Sequence, residues 1–136
     1  MVMMTGIYEG KLHCTLTHGP SETKISTDAP KDNNGLGEAF SPTDLLGAAL
    51  GSCILTTMAI YGNKSGLDVT GASFVVTKKM QMSPRMVSEL TIEITLPDTI
   101  AENERAALED IAHTCPVTRS LNPDIKLPVT FHYKSL

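Results

Sequence analysis

The chain has 136 residues, of which 41% are apolar and 19% are charged, so it is long enough to bury a core as one domain, residues 1–136, and too apolar to be disordered. Its net charge of −4 and the scatter of its 11 Lys and Arg residues argue against nucleic acid as a partner, because phosphate binding needs clustered basic side chains. Three cysteines are an odd number, which excludes a complete disulfide framework.

The N-terminal part of the chain has the alternating pattern of β-strands. Apolar and polar residues alternate around 7–17 and again over 23–27, which predicts two strands. Residues 18–21, His-Gly-Pro-Ser, are typical of a turn, and residues 29–40, rich in Asn and Gly, are predicted to form a loop. Residues 1–6 lack the charged region and the long apolar run of a signal peptide, so we expect a cytoplasmic protein.

A long helix is predicted next. Residues 41–44, Ser-Pro-Thr-Asp, form a capping box, in which the Ser side chain accepts a backbone N–H and Pro fits the first helical position. Apolar residues beyond it lie on more than one face, which predicts a buried helix that ends near Gly62 or Gly66. Its most apolar stretch, residues 45–60, is shorter than the roughly 20 residues that a membrane helix needs, so we expect no membrane segment.

From Leu67 onward the pattern changes to strands. Residues 88–96 alternate without a break, with Leu and Ile on one face and Glu and Thr on the other, which predicts a half-buried strand. Residues 81–84, Gln-Met-Ser-Pro, are predicted to turn the chain from the preceding strand, so that the two strands pair as an antiparallel hairpin.

Two helices and a closing strand complete the chain. Residues 99–102, Thr-Ile-Ala-Glu, have the capping-box pattern and predict a helix through about Ala112. A short helix is predicted from Pro116, and a closing strand is predicted over 127–133. Strands, a long helix, two strands, helices and a strand, in this order, predict an α+β fold with an antiparallel sheet.

Cys53 lies in the middle of the long helix, in the string Gly-Ser-Cys. Free cysteine is a small hydrophobic residue and one of the most buried types, so packing alone explains it. Burial in apolar surroundings also makes a thiol inert unless a cation or a hydrogen-bond donor is close. The sequence around Cys53 is therefore compatible with a packing role and with a reactive thiol.

Cys115 directly precedes Pro116 and is the N-cap of the short helix if that Pro is the first helical residue. Unpaired N–H groups and the helix dipole favour a thiolate there, and His113 and Arg119 add positive charge if they turn inward. An unreactive capping residue is the alternative. Cys14, on a predicted strand, is interpreted as a packing residue. Without a Cys-x-x-Cys or His-x-x-x-His spacing, no metal site and no cofactor are predicted.

Two strings, SPTDLLGAALGSC (41–53) and HTCPVTRSL (113–121), together resemble the OsmC/Ohr family of peroxiredoxin-like hydroperoxide reductases. The order of strands and helices is similar to that family over essentially the whole chain. The resemblance implies an intertwined homodimer, in which helices pack against curved antiparallel sheets and two active sites lie at the interface.

By the same resemblance, Cys53 is the peroxidatic thiolate and Cys115 is the resolving thiol. The thiolate attacks an organic hydroperoxide, releases an alcohol and becomes a sulfenic acid, which the second thiol condenses to a disulfide. A dithiol or a small thiol then reduces the disulfide by exchange. An apolar helix around Cys53 favours organic hydroperoxides over hydrogen peroxide.

The sequence departs from the family at the residues that activate the cysteine. Peroxidase members use an Arg from the N-terminal region and a Glu just after the Pro that opens the helix, whereas here Thr43 and Asp44 follow that Pro and no Arg precedes Arg85. Lys lacks the planar fork of Arg. The candidates to replace the Arg are Lys11, Lys24 and Lys31. The alternative function is therefore a divergent OsmC-like protein without efficient peroxidase activity, acting as a redox sensor or a small-ligand binder.

Overall fold

The computed structural model describes residues 1–136, whose contacts divide them into two compact units, residues 1–46 and 47–136. Each unit contains its own three-stranded sheet. The boundary between the units falls inside the long helix. The single domain expected over the whole chain stays a prediction.

The first unit is built on an antiparallel sheet with the strand order β1-β2-β3, where β1 spans Met4–Gly10, β2 His13–His18 and β3 Lys24–Asp28. The turn predicted at 18–21 and the strand predicted over 23–27 are confirmed. The single strand predicted over 7–17 is wrong, because the chain reverses at Lys11 and Leu12, where φ is 52° and 60°. Positive φ at both residues of a two-residue loop is type I′ turn geometry, which Asn and Gly usually signal.

Helix α1, Pro42–Ser65, begins at the predicted capping box. The Asp44 N–H donates to the Ser41 hydroxyl at 3.1 Å, and the Ser41 N–H donates to the Asp44 carboxylate at 2.9 Å. These reciprocal bonds satisfy two backbone donors at the start of the helix. At its other end, Gly66 has a φ of 73°, and this left-handed conformation ends the helix at one of the predicted positions.

Ser41→Ala is expected to lower the free energy of unfolding by about 1 kcal/mol, because it removes the acceptor for the Asp44 N–H. Ser41 is only 1% exposed, so water does not replace the lost partner. Urea unfolding followed by circular dichroism measures the change. The matched control is Ser52→Ala, which alters an exposed position in mid-helix and should leave stability equal or slightly higher. An equal loss for both variants would contradict the capping role.

Only one face of α1 is buried in the single chain, whereas the sequence predicted burial on more than one. The buried residues recur at helical spacing, and they are Gly47, Leu50, Gly51, Ile54, Met58 and Gly62. Ile60, on another face, is 53% exposed. By length and composition α1 could also span a membrane, but the core helix of a soluble protein has the same length and composition, so one such helix is weak support for a span.

The second unit contains a sheet with the strand order β4-β5-β6, where β4 spans Ser73–Met82, β5 Arg85–Pro97 and β6 Val129–Lys134. The antiparallel hairpin of β4 and β5 is confirmed. However, β6 runs parallel to β5, so this sheet is mixed rather than antiparallel throughout. The inward face of the central strand forms much of the core, with 0% exposure at Leu90, Ile92, Ile94 and Leu96.

The connection from β5 to β6 contains two helices, α2, Glu102–Ala112, and α3, Pro116–Ser120. The capping box predicted over 99–102 is wrong, because the N-cap is Ala101, whose carbonyl accepts the Glu104 N–H at 2.9 Å. The chain first turns at Pro97, whose carbonyl accepts the Ile100 N–H at 3.3 Å, and this turn delays the helix. The two sheets and three helices confirm the α+β class.

Candidate active site

Cys53 lies on α1 at the edge of its buried face. Ser52 before it is exposed, Ile54 after it is 1% exposed, and Cys53 itself is half-buried. The residue is therefore neither sealed in the core nor fully in solvent. The Thr57 hydroxyl donates to the Cys53 carbonyl at 2.8 Å, which is a bond of the helix backbone and leaves the sulfur untouched.

The close packing of α1 on β4 explains why a glycine, Gly51, stands two residues before Cys53. A Cβ atom at this position would lie 2.4 Å from Cδ2 of Phe74 in β4. Side chains cannot interpenetrate to that extent, so α1 packs this close to β4 only with glycine here. The Gly-Ser-Cys string thus fixes the distance of the cysteine-bearing turn from the sheet of the second unit.

Cys115 is the N-cap of α3, as the Cys-Pro dipeptide predicted. Its side chain is buried with 0% exposure, and its sulfur accepts the Thr118 N–H at 3.3 Å. The Thr118 hydroxyl lies 3.1 Å from the same sulfur. Sequence reasoning missed Thr118, although its place three residues after an N-cap is where a capping partner is found.

His113 and Arg119 form no side-chain hydrogen bond with the Cys115 sulfur. His113 is exposed at the C-terminal end of α2, and its ring meets Phe131 edge-on at 6.5 Å. Arg119 is also exposed, and its bond to Cys115 joins backbone N–H and carbonyl at 3.2 Å. Both side chains reach solvent, and an effect of their charge on the Cys115 thiolate stays a prediction.

All three cysteines are free thiols. Cys53 and Cys115 belong to the same compact unit, on α1 and at the start of α3, and their sulfurs share no bond. Their pairing as peroxidatic and resolving thiols stays a prediction. Cys14 lies in β2 of the other unit, half-buried, where it pairs in register with Tyr8 and Thr27.

The groups considered for activating a thiol are one carboxylate and three lysines. Asp44 Oδ2 accepts the Ser41 N–H at the start of α1, which is the capping role that the sequence predicted for it. The three lysines that sequence reasoning offered in place of an Arg are exposed, and their role stays a prediction: Lys11, Lys24 and Lys31. No group of three or more His, Cys, Asp or Glu side chains is arranged to hold a metal ion.

A buried carboxylate that is hydrogen-bonded to a histidine in the first unit escaped sequence analysis. Asp28 is 4% exposed, and its Oδ1 lies 2.5 Å from Nδ1 of His13. The hydrogen bond with His13 lowers the pKa of Asp28, and amide donors from Glu38 and Ala39 act in the same direction, against the effect of burial. Since the folded pKa is below the unfolded value of 3.8, this stabilisation is present above that pH and is lost as pH falls through the folded pKa.

A family model described as OsmC-like protein matches residues 35–130, which include both Cys53 and Cys115. Among solved structures, a protein of Psychrobacter arcticus 273-4, provisionally named an osmotic stress induced and detoxification response protein, is 42% identical with a TM-score of 0.92, over 97% of this chain and 96% of that chain. No curated protein matches the sequence.

Two more distant structures share the fold. The OsmC-like protein of Mycoplasma pneumoniae is 17% identical with a TM-score of 0.81, over 96% of this chain and 95% of that chain. The organic hydroperoxide resistance protein OsmC of Legionella pneumophila is 16% identical with a TM-score of 0.75, over 97% and 96%. Because the family model covers more than half of the residues and one relative is 42% identical over nearly the full length, the chain belongs to the OsmC-like protein family.

Proposed function

We propose that this protein is a thiol-dependent peroxidase that reduces organic hydroperoxides to alcohols in the response to oxidative stress. The observation that carries the proposal is the OsmC-like match, which spans both cysteine strings. The Legionella relative is named for organic hydroperoxide resistance, and the Psychrobacter relative for detoxification. A half-buried Cys53 on an apolar helix supports the same reaction, because the thiol is neither inaccessible nor fully hydrated.

The proposed reaction balances with Cys53 as the two-electron donor. Its thiolate attacks one peroxide oxygen, the O–O bond breaks, and the other oxygen takes a proton and leaves as the alcohol. The resulting sulfenic acid is attacked by the thiol of Cys115, which forms a disulfide and releases water. A dithiol, or two small thiols, then reduces the disulfide by exchange and returns both cysteines to the thiol form.

The surroundings of Cys53 favour alkyl or aryl hydroperoxides over hydrogen peroxide. The neighbouring turns of α1 carry Ala49 and Leu55, which are apolar and keep exposed surface near the cysteine in sequence. Apolar groups beside the sulfur stabilise the hydrocarbon part of a substrate but offer hydrogen peroxide nothing in return. No bound cofactor is needed, since sulfur carries both electrons.

We also propose that the protein works as a cytoplasmic homodimer. Large apolar side chains are exposed in both units, and they include Met4, Tyr8, Ile25, Ile60 and Val75. Met4 and Ile25 line one apolar groove on the first unit together with Leu16, and contiguous apolar surface of this kind usually marks an interaction site, for which we propose a second copy of the chain. Three free thiols suit a reducing compartment.

A second candidate function follows from the charges. Asp44 is engaged at the helix cap, and the first Arg of the chain is Arg85 in the β4–β5 hairpin. A thiol without an activating guanidinium reacts slowly with peroxides, which suits a redox sensor or a small-ligand binder better than an efficient enzyme.

Mass spectrometry after a stoichiometric pulse of cumene hydroperoxide separates the two functions. When the pulse is added to protein that was reduced beforehand, we expect a Cys53–Cys115 disulfide within the dead time of manual mixing, because both thiols take part in one cycle. Cys14→Ser is the matched control and should form the same bridge, since Cys14, in β2, belongs to neither of the two cysteine strings. Thiols that stay reduced at stoichiometric peroxide would refute the peroxidase and favour the sensor or binder.

A further inference from the structure

The loop at residues 29–40 is tied to the first unit almost entirely by polar contacts. Its ends meet where the Asp28 N–H donates to the Phe40 carbonyl at 3.1 Å. Inside the loop, the Gly37 N–H donates to the Ala29 carbonyl at 3.3 Å. The two large apolar side chains of the loop bury little surface, since Leu36 is 53% and Phe40 57% exposed. Hydrophobic burial therefore contributes little to its closure.

The Asp28 carboxylate supplies the strongest of these ties. One of its oxygens, Oδ2, accepts the Glu38 N–H at 2.9 Å, and the Ala39 N–H also bonds the carboxylate. The other oxygen is engaged by His13. Hydrogen bonds to a charged acceptor are about twice as strong as neutral ones. One buried carboxylate thus joins β2, the end of β3 and the far end of the loop.

A cavity of about 480 Å³ lies between this loop and the β1–β2 hairpin. The hairpin wall contributes Glu9, Lys11 and His13, and the loop wall contributes Leu36 and Glu38, with Asp28 between the two walls. The His13 ring also lies 3.8 Å from the Glu9 carboxylate. Any outward movement of the loop opens the cavity on one side while the hairpin stays in place.

We propose that residues 29–40 form a strap over this cavity, that the Asp28 carboxylate oriented by His13 holds the strap closed, and that loss of these contacts opens the strap without unfolding the sheet. The strap carries two features that permit such a movement. It has glycines at positions 35 and 37, and Gly37 has a φ of 63°. Its internal backbone bonds join residues within the strap, such as the bond from the Gly35 N–H to the Pro30 carbonyl at 3.0 Å, and therefore move with it.

The strap ends one residue before the capping box of α1. Phe40 is followed by Ser41, which is 1% exposed and bonded to Asp44. Those bonds belong to α1 and do not depend on Asp28. The opening is therefore expected to stop at Ser41, so that the helix start acts as the fixed end of the strap and β3 as the other.

Amide hydrogen exchange on the full chain, without peroxide, tests the strap independently of the proposed peroxidase. In Asp28→Ala, the amides of Glu38, Ala39 and Gly37 are expected to exchange at least about tenfold faster, because they lose their acceptor or its neighbour. The amides paired between β1 and β2 should exchange at the wild-type rate. The matched control is Asp68→Ala, which removes a carboxylate that accepts the Thr70 N–H at 2.8 Å in an exposed turn of the other unit, and it should leave the strap unchanged.

Two results would overturn the proposal: strap amides that stay protected in Asp28→Ala, or strap and sheet amides that lose protection together. If Asp28→Ala fails to fold, His13→Phe provides the same test, because it removes the side-chain partner and leaves the carboxylate in place. It should speed exchange of the Glu38 and Ala39 amides by a smaller factor with the sheet intact. Unchanged exchange of the strap amides in that variant would contradict the role of His13, and with it the proposal that Asp28 oriented by His13 holds the strap closed. The rate of tryptic cleavage after Lys31, in the exposed part of the strap, should be lowest in the wild type, higher in His13→Phe and highest in Asp28→Ala.

Discussion

Cys53→Ser is expected to lower the consumption of cumene hydroperoxide with a dithiol by about a thousandfold or more, to the uncatalysed rate, as removal of an essential nucleophile does. The Ser hydroxyl is not oxidised by peroxides and cannot form a sulfenic acid. Cys53 is half-buried and makes no side-chain hydrogen bond, so the exchange of sulfur for oxygen should leave the fold intact. Unfolding curves of the variant check that point before its rate is interpreted.

Two further variants show whether the effect belongs to the proposed cycle. Cys14→Ser should keep the wild-type rate, because this thiol, in β2, belongs to neither cysteine string of the proposed cycle. Cys115→Ser should allow one oxidation of Cys53 to a sulfenic acid that a dimedone probe traps, and then slow turnover, because no resolving thiol remains. Normal turnover in Cys53→Ser would end the peroxidase proposal, whatever the other variants do.

Features set by a few neighbouring residues were predictable from the sequence. The Ser41–Asp44 capping box forms the reciprocal bonds that its pattern predicts, and Cys115 caps α3 because Pro116 follows it. The alternation of residues 88–96 correctly identified a strand with one buried face. Each of these depends on interactions within one or two turns or on the two-residue period of a strand.

Features that depend on distant parts of the chain were not predictable. The hairpin at Lys11 and Leu12 was missed because neither residue has the preference of Asn or Gly for positive φ. The parallel direction of β6 was missed because alternation identifies a strand but not its partner. The pairing of His13 with Asp28 joins residues 15 positions apart, and only the register of β2 on β3 brings them together.

The candidate site shows the same division. The family resemblance came from two short strings, and both are local structures, a capped helix with Gly-Ser-Cys and a capped turn of helix. Their chemistry depends on which groups approach each sulfur. Thr118, three positions away, approaches Cys115 through the cap itself, whereas the side chains of His113 and Arg119, two and four positions away, are exposed. Closeness in sequence therefore predicts the capping contact of Cys115, but it does not predict whether a charged side chain bonds the sulfur.

Gly51→Ala is expected to lower the free energy of unfolding by about 1–3 kcal/mol, because the added methyl group enters the space of Phe74. Its Cβ would lie 2.4 Å from one ring carbon and 2.5 Å from the next, so the ring or the helix must move. Alanine is the better helix former by about 1 kcal/mol, and overpacking must outweigh that gain for the prediction to hold.

Gly47→Ala, one turn earlier on the same buried face, is the control that isolates overpacking from helix propensity. Its new Cβ would meet Cγ1 of Val76 at 3.2 Å and Cδ2 of Leu90 at 3.4 Å, both ends of side chains that can shift by a few tenths of an ångström. We expect its stability to equal the wild-type value or exceed it by up to about 1 kcal/mol. Urea unfolding of both variants measures the difference, and equal stabilities would contradict the close packing of α1 on β4. Because Cys53 lies two residues from position 51, the peroxidase rate should fall in Gly51→Ala and stay unchanged in Gly47→Ala, which links the spacing of helix and sheet to the reactivity of the thiol.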